Sequence, residues 1–518
     1  MPVTHDDERA ATQVATEAPG ADEVAVVAWP LLLKRRVTER VEASDKYPWL
    51  VLTTVLFGLF SVGFTITILS NSVRRIADDL GSDVSTLTWV LTGPLLAFAV
   101  FGPAAGKIAD LKGERRVYLV SLGAVALFAA LTALATSAGA LILFRVLGAA
   151  TGAATGPASL AIINKLFPPT RRAQAMGYWS MVAAGGPVVG VVAGGPIVQA
   201  FGWQWIFIAQ VPLTLITLLL AAAILPAGTP SKESDEPSGF DIKGAVTLGL
   251  GTTALLFAVN RGPLWGWTHP AVLAEFVLAA VMLVAFVAVE RRAAHPLLPL
   301  AYLRRRNFSF PLLTQFCTNF AYMGGFVITP LLLQDEFGYT ETKTGALLIA
   351  RPIVFAIAGP VAGYLTVRVG ERSSAVFGAA TITASMVALA SLAPGDSDLF
   401  VVTALALSGL GMGASAPAMA AAIANAVDER DLGIAGATQQ MVNQVGVVIG
   451  IQVMQTVQAA RAGSVGGVAA YGDAFLLGAA VALLGLAFAF FVRSTPRPAE
   501  EWRGARGTEA PAGAPASA

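Results

Sequence analysis

The chain has 518 residues, 55% of them hydrophobic and 13% charged, with a formal net charge of +1 at pH 7 and a mean hydropathy of +0.67. A soluble domain carries roughly 25% charged residues, so a surface that faces water all round is excluded, and a balanced charge leaves no electrostatic footprint for nucleic acid. The lone cysteine, Cys317, cannot form an intrachain disulfide, fits no metal-ligand spacing and reads as a small core filler.

Residues 1–47 are polar and lack the apolar core and small-residue cleavage site of a secretory signal. They read as a cytoplasmic tail whose basic cluster, Lys34-Arg35-Arg36, lies along the membrane surface. From Trp49 onward the chain is a train of apolar runs, each near the 20 or so residues that a spanning helix needs. Helices are expected near 48–70, 86–109, 117–135, 138–163, 175–198, 205–225 and 242–260, the last run being weaker. Others are expected near 271–289, 310–334, 345–367, 373–393, 399–423, 432–457 and 471–492. The segment 493–518 is rich in Pro, Ala and Gly and reads as a disordered tail. The fold class this implies is all-α, a polytopic membrane protein of about fourteen transmembrane helices. It would be built from a six-helix bundle at 48–225, a two-helix insert with its loops at 226–309, and a second six-helix bundle at 310–492.

The loops support the count. With the N-terminus inside, the outer loops hold only Arg74, Arg75, Arg261, Lys343 and Arg461 of the 34 lysines and arginines. The asymmetry predicts an even number of spans with both termini in the cytoplasm. The sequence also echoes itself. Gly106 and Gly113 are followed by Glu114-Arg115, and Gly363 and Gly370 by Glu371-Arg372, at the same spacing. Two related halves around a midplane site are the expected build of a transporter.

The segment Gly106 to Arg116 reads G-x-x-x-D-x-x-G-x-R-R. Glycines permit a tight turn between helix ends, and Asp110 can pair with arginine or sit at a positive helix terminus. This segment resembles the cytoplasmic loop between the second and third helices of the major facilitator superfamily. Leu141-Ile-Leu-Phe-Arg145-Val-Leu-Gly148 resembles the family's fourth-helix arginine motif, with Gly148 where glutamine is usual near that arginine. Gly186-Pro187-Val-Val-Gly190 resembles the fifth-helix motif of antiporters. Trp203-Gln-Trp205-Ile-Phe207, Phe240-Asp241-Ile-Lys-Gly244, Trp265-Gly-Trp267, Leu333-Gln334 to Tyr339, and Gln444-Val-Gly446 to Gly450 follow in the order of the fourteen-helix drug:proton antiporter family.

The resemblance implies multidrug efflux by alternating access and proton antiport, without a cofactor other than the proton gradient. It would act in a bacterial cytoplasmic membrane, as a monomer, on small-molecule substrates. Asp110, Arg115 and Arg116 would bias the inner gate, and Gly186, Pro187 and Gly190 would give close packing on the outer side. Thr65 stands where family members commonly carry a first-helix aspartate, in the run ending at Asn71. That departure opens the alternative of a dedicated metabolite or lipid exporter with weak or no proton coupling. A non-transporting receptor on the same fold is a further alternative, and an enzyme is not expected, since no catalytic constellation is visible.

Ionisable residues inside a bilayer are costly and point to function. Arg145 and Arg351 are candidates to line a cavity, bind an anionic substrate or bias a carboxylate, or else to bond helix carbonyls. Glu275, Asp335 and Glu336 are candidates to carry the proton, though Glu275 reads first as an interfacial residue that reaches headgroup water. His5, His269 and His295 all lie outside the apolar runs, so an intramembrane histidine relay is excluded. Gln440, Asn443 and Gln444 share a helix face, and Gln315 with Asn319 forms an i, i+4 pair. Such uncharged polar stripes must face protein or a cavity, as substrate lining or as interhelical bonds. The run Gly102 to Ile108 falls short of a phosphate loop, being one residue short and lacking Ser or Thr after Lys107.

Overall fold

The computed structural model describes residues 46–67, 73–82, 84–87, 89–226, 241–293 and 296–494. Both expected tails, apart from a few residues, and Asn71 lie outside them. The described residues from Pro48 onward form one compact unit.

The described residues form helices and no strand, as a chain that must satisfy its backbone inside lipid requires. The helices are α1 (Tyr47–Thr67), α2 (Val73–Leu80), α3 (Val84–Leu87), α4 (Trp89–Lys112), α5 (Glu114–Ala133) and α6 (Ala138–Gly152). Then come α7 (Thr155–Leu166), α8 (Arg172–Phe201), α9 (Gln204–Ile224), α10 (Ile242–Trp265), α11 (Pro270–Glu290) and α12 (Arg306–Leu331). The last are α13 (Glu341–Leu348), α14 (Ala350–Val369), α15 (Glu371–Ala390), α16 (Asp398–Ala424), α17 (Leu432–Val465) and α18 (Gly467–Ala489). Among the described residues, 11 segments are long and apolar enough to cross a membrane. Eleven of the fourteen expected positions are met by these segments; α4, α8 and α17 are long helices at the other three positions but lie outside that set.

Several expected boundaries move for local reasons. The run 138–163 divides at Ala153 and Ala154 because Pro157 has no amide hydrogen to give the Ala153 carbonyl. Pro352 likewise ends α13 at Leu348, inside the span expected at 345–367, which continues as α14. The span expected at 310–334 begins at Arg306 and closes in a π-helical turn, Leu332–Glu336. The weak run at 242–260 is a full helix of 24 residues. The amphipathic helix α2 was not foreseen. Its Ile76 and Ala77 join an apolar cluster with Phe64, Leu141, Trp203 and Phe207.

Packing follows the small residues. Helices α15 and α16, α14 and α16, α8 and α14, and α12 and α17 are paired along their lengths, and α4 packs on α6 and α17. A second apolar cluster, around Phe320, Met386, Leu405 and Phe475, ties α12, α15, α16 and α18 together. Helix α11 packs chiefly along α10, which in turn touches α4 and α17. Leu273, Val277, Val281 and Val284 of α11 stay exposed, the surface expected of a helix that faces lipid. Gly113 and Gly370, both at φ 90°, make the turns between α4 and α5 and between α14 and α15.

Candidate functional site

One end of the helices is a basic face that carries Lys107, Lys112, Arg115, Arg116, Lys165, Arg172 and Arg304 to Arg306. On it, the first and second halves of the sequence meet through two seams. A Cβ placed on Gly106 of α4 would lie 2.6 Å from the Gly433 carbonyl oxygen of α17. A Cβ on Gly177 of α8 would lie 2.5 Å from the Gly359 carbonyl oxygen of α14, and one on Gly363 would lie 2.6 Å from that of Ala173. The two glycines of the internal echo, Gly106 and Gly363, therefore do the same job: each lets its helix close onto a helix start from the other half. Tyr178 and Tyr364 add a hydroxyl pair 3.2 Å apart across the α8–α14 seam.

Polar clasps lock the first seam. The Asp110 carboxylate accepts from the backbone N–H groups of Gly433 at 2.7 Å and Ile434 at 2.8 Å. It thereby caps the positive N-terminus of α17. Of the two partners open to Asp110, the helix terminus is the one it takes. Arg115 instead donates to the Ala222 carbonyl near the C-terminus of α9, at 2.7 Å. Glu114, the first residue of α5, pairs with Lys165 at the end of α7. No role in the clasp is visible for Arg116.

Sequence reasoning missed the rest of this clasp. Arg172 is buried and donates to Asn164 O at 2.9 Å, to Asn425 Oδ1 at 2.7 Å and to Ala424 O at 3.4 Å. A positive charge thus grips the C-terminus of α16 while Asp110 grips the N-terminus of α17. Arg305 donates to Ala426 O at 2.7 Å, and the Tyr302 hydroxyl donates to Asp431 and, at 3.1 Å, lies against Asp428. Burial, with the hydrogen bond to Asp431, pushes the Tyr302 hydroxyl well up, so it stays a donor. The α16–α17 connection is held from α4, α8 and the segment before α12. No sequence motif singled out Arg172, and no spacing pointed to Asn425.

Away from this face, Thr65, Arg145, Phe207 and Gln210 line a pocket between α1, α4, α5, α6 and α9. Arg145 donates to the Thr65 carbonyl at 3.3 Å and stands 5.5 Å from the centre of the Phe207 ring. Its Nε is buried without a hydrogen-bond partner among the described residues. Gln210 donates to Ser61 O at 2.9 Å and to Thr65 Oγ1 at 3.3 Å. Thr65, in turn, donates to Val62 O at 3.2 Å. The pocket has no carboxylate among its lining residues. Gln210 is the neighbour that sequence reasoning did not single out.

The polar stripes come together in part. Asn319 Nδ2 donates to Gln315 O at 2.8 Å and to Asn443 Oδ1 at 3.3 Å, joining α12 to α17. Gln315 is buried, and its Oε1 has no hydrogen-bond partner among the described residues. Gln440, Asn443 and Gln444 are half-buried, and the Gln440 amide lies against Gly156 of α7. Gly186 packs on α1 beside Phe64, and Pro187 and Gly190 continue α8. Glu275 lies half-buried on the peripheral helix α11, apart from the pocket around Arg145. Asp335, in the π-helical turn, accepts from the Tyr471 hydroxyl at 3.1 Å. Arg351 joins none of these groups. It is fully enclosed, and its guanidinium stands 4.2 Å from the centre of the Tyr322 ring. No metal-binding cluster of His, Cys, Asp and Glu occurs among the described residues.

The sequence matches the Major Facilitator Superfamily over residues 55–451 and again over 311–516. It is 31% identical to the tetracenomycin C resistance and export protein of Streptomyces glaucescens, covering 81% of this chain and 77% of that protein. It is 30% identical to the puromycin resistance protein pur8 of Streptomyces alboniger over 83% of this chain and 84% of that one. It is 28% identical to the multidrug transporter protein MdtP of Bacillus subtilis (strain 168) over 82% and 77%. The fold is similar to that of the proton:xylose symporter XylE, with a TM-score of 0.63 at 13% identity, covering 87% of this chain and 97% of that one.

Proposed function

We propose that this chain, which belongs to the major facilitator superfamily, is a secondary active exporter of small amphipathic compounds that works by alternating access. The resistance and export proteins it resembles support the direction of transport. The excess of lysine and arginine on one face supports a cytoplasmic membrane with both termini inside, and the basic face is then the cytoplasmic one. The protein acts as a monomer and draws on the proton gradient.

The observation that carries the mechanism is the Asp110 carboxylate on the N-terminus of α17. It joins the halves by hydrogen bonds that can break and re-form without moving any covalent neighbour. With the glycine seams beneath it, it is a latch that holds the cytoplasmic side shut in this conformation. Substrate reaches the polar residues of α12 and α17, Gln315, Asn319, Gln440, Asn443 and Gln444, when the latch opens. Everted membrane vesicles with a dye-reported pH gradient test this. Addition of compounds from a panel of cations, neutral molecules and anions should move solute inward and dissipate the gradient in wild type, but not in empty-vector or Arg145→Ala vesicles. Gradient loss equal to that of empty vector for every transported compound would remove proton coupling.

A specific observation favours a second reading, a dedicated exporter with weak or absent proton coupling. Thr65, at the position where the family commonly has an acid, is neutral and already bonded to Val62 and Gln210. Transport that ignores the pH gradient would select this reading.

A further inference from the structure

The interior has an uneven charge distribution. Among the described residues, the buried carboxylates Glu114, Glu290, Glu371 and Asp431 sit at or beside helix ends. Apart from these carboxylates, Arg145 is half-buried in its pocket, and Arg351, second residue of α14, is fully enclosed. Arg145 at least reaches the Thr65 carbonyl. Arg351 is 0% exposed, and its Nε, Nη1 and Nη2 all lack a hydrogen-bond partner among the described residues.

A guanidinium does not shed its proton in a protein, and burying a charge without a counter-charge is strongly unfavourable. An arginine that served packing would spend its donors on helix carbonyls. The surroundings of Arg351 offer something else. Tyr322 and Phe326 of α12 stand 4.2 Å and 5.8 Å from its guanidinium, centre to centre. Gly325, between them in α12, presents no side chain, and a Cβ there would lie 3.4 Å from Arg351 Nη2. The result is a cation with unspent donors, walled by aromatic rings on a glycine-containing turn of α12.

We propose that Arg351 is the anchor for an anionic group on an aromatic substrate, so that this chain takes amphipathic anions in preference to cations. The proposal rests on the exporter reading above. A carboxylate or sulfonate accepts two parallel N–H bonds from a guanidinium, and a substrate ring stacks on Tyr322 or Phe326. Arg145 adds a second positive charge to an interior without a nearby carboxylate, which favours an anion and opposes a cation. The anchor is enclosed within the second half in this conformation.

The test uses the purified full-length protein and everted vesicles, with fluorescein and naphthalene-2-sulfonate as anionic probes and ethidium as the cationic one. Without ligand, Arg351→Met should unfold at a higher temperature than wild type, because it removes an unpaired buried charge. The anions should raise the unfolding midpoint of wild type, less that of Arg351→Lys, and not that of Arg351→Met. Vesicle uptake of the anions should fall by about tenfold or more in Arg351→Met, the loss expected of a charged hydrogen-bonded pair. Equal stabilisation of wild type and Arg351→Met by the anions, or none of either, overturns the proposal. Uptake of ethidium without the anions overturns it while the exporter reading stands. Anion stabilisation that depends on Arg351, with no uptake of any probe, upholds the anchor and removes the exporter.

Discussion

Gly106 and Gly433 meet backbone to backbone: a Cβ on the first would lie 2.6 Å from the carbonyl oxygen of the second, and a Cβ on the second 2.7 Å from that of the first. Neither position tolerates a side chain unless α4 and α17 separate. The contact brings Asp110, one turn further along α4, to the free N–H groups at the start of α17. A loop motif and a helix start 323 residues away are thereby one mechanical element.

Gly106→Val should therefore wedge the two helices apart. Overpacking of a tight contact costs about 1–3 kcal/mol, and export should fall to the empty-vector level. Thermal unfolding in detergent and vesicle uptake check both parts. Gly363→Val should behave alike, through α8 instead of α17. A Gly106→Val protein with wild-type uptake would show that the seam is passive.

Asp110→Ala leaves two backbone donors uncapped and should cost about 0.5–2 kcal/mol, the range for losing an N-cap. Asp110→Asn keeps an acceptor oxygen but loses the charge that suits a helix N-terminus, so it should fall between Ala and wild type in both stability and uptake. The order Asp, Asn, Ala is the check. Equal uptake by Asn and Asp would mean that the hydrogen bond alone carries the latch.

Arg172→Gln removes the charge at the end of α16 and should cost about 2 kcal/mol, the middle of the range for hydrogen bonds to charged groups. Asn425→Ala, which removes one partner of Arg172, should cost less. A double variant no worse than Arg172→Gln alone would confirm that the two act as a pair; fully additive losses would contradict it.

The positions of the helices were legible because lipid demands long apolar runs, and the charge of the loops ordered them. The Gly106–Arg116 motif and the echo at Gly363 were legible from spacing. The partner of Asp110 was not. In a soluble helix an apolar stripe marks the buried face, but the lipid-facing and protein-facing sides of these helices are both apolar, so pairing leaves little trace in sequence. The same holds for Arg172 with Asn425, for Tyr302 with Asp431 and for Gln210 with Thr65. Arg351 stood out as an intramembrane charge, but only its surroundings show that its guanidinium has no hydrogen-bond partner among the described residues.

Thr65→Asp tests the coupling. It puts a carboxylate into a pocket lined by Arg145 and Gln210, beside the chain atom that Arg145 already contacts. Uptake into vesicles should become more dependent on the pH gradient than in wild type. The gradient-dissipation assay, run in parallel on both proteins, reads this directly, and an unchanged dependence would place the proton path elsewhere.

The most direct test of alternating access is to hold the basic face shut. Tyr178 and Tyr364 touch across the α8–α14 seam, and Cys317 is the chain's own cysteine. In a Cys317→Ser background, Tyr178→Cys with Tyr364→Cys should be joined by a short, reducible bis-maleimide linker. Cross-linking should stop uptake into everted vesicles, and reduction of the linker should restore it. A cross-linked protein that transports as fast as the open one would contradict the account, because this face would then never need to open.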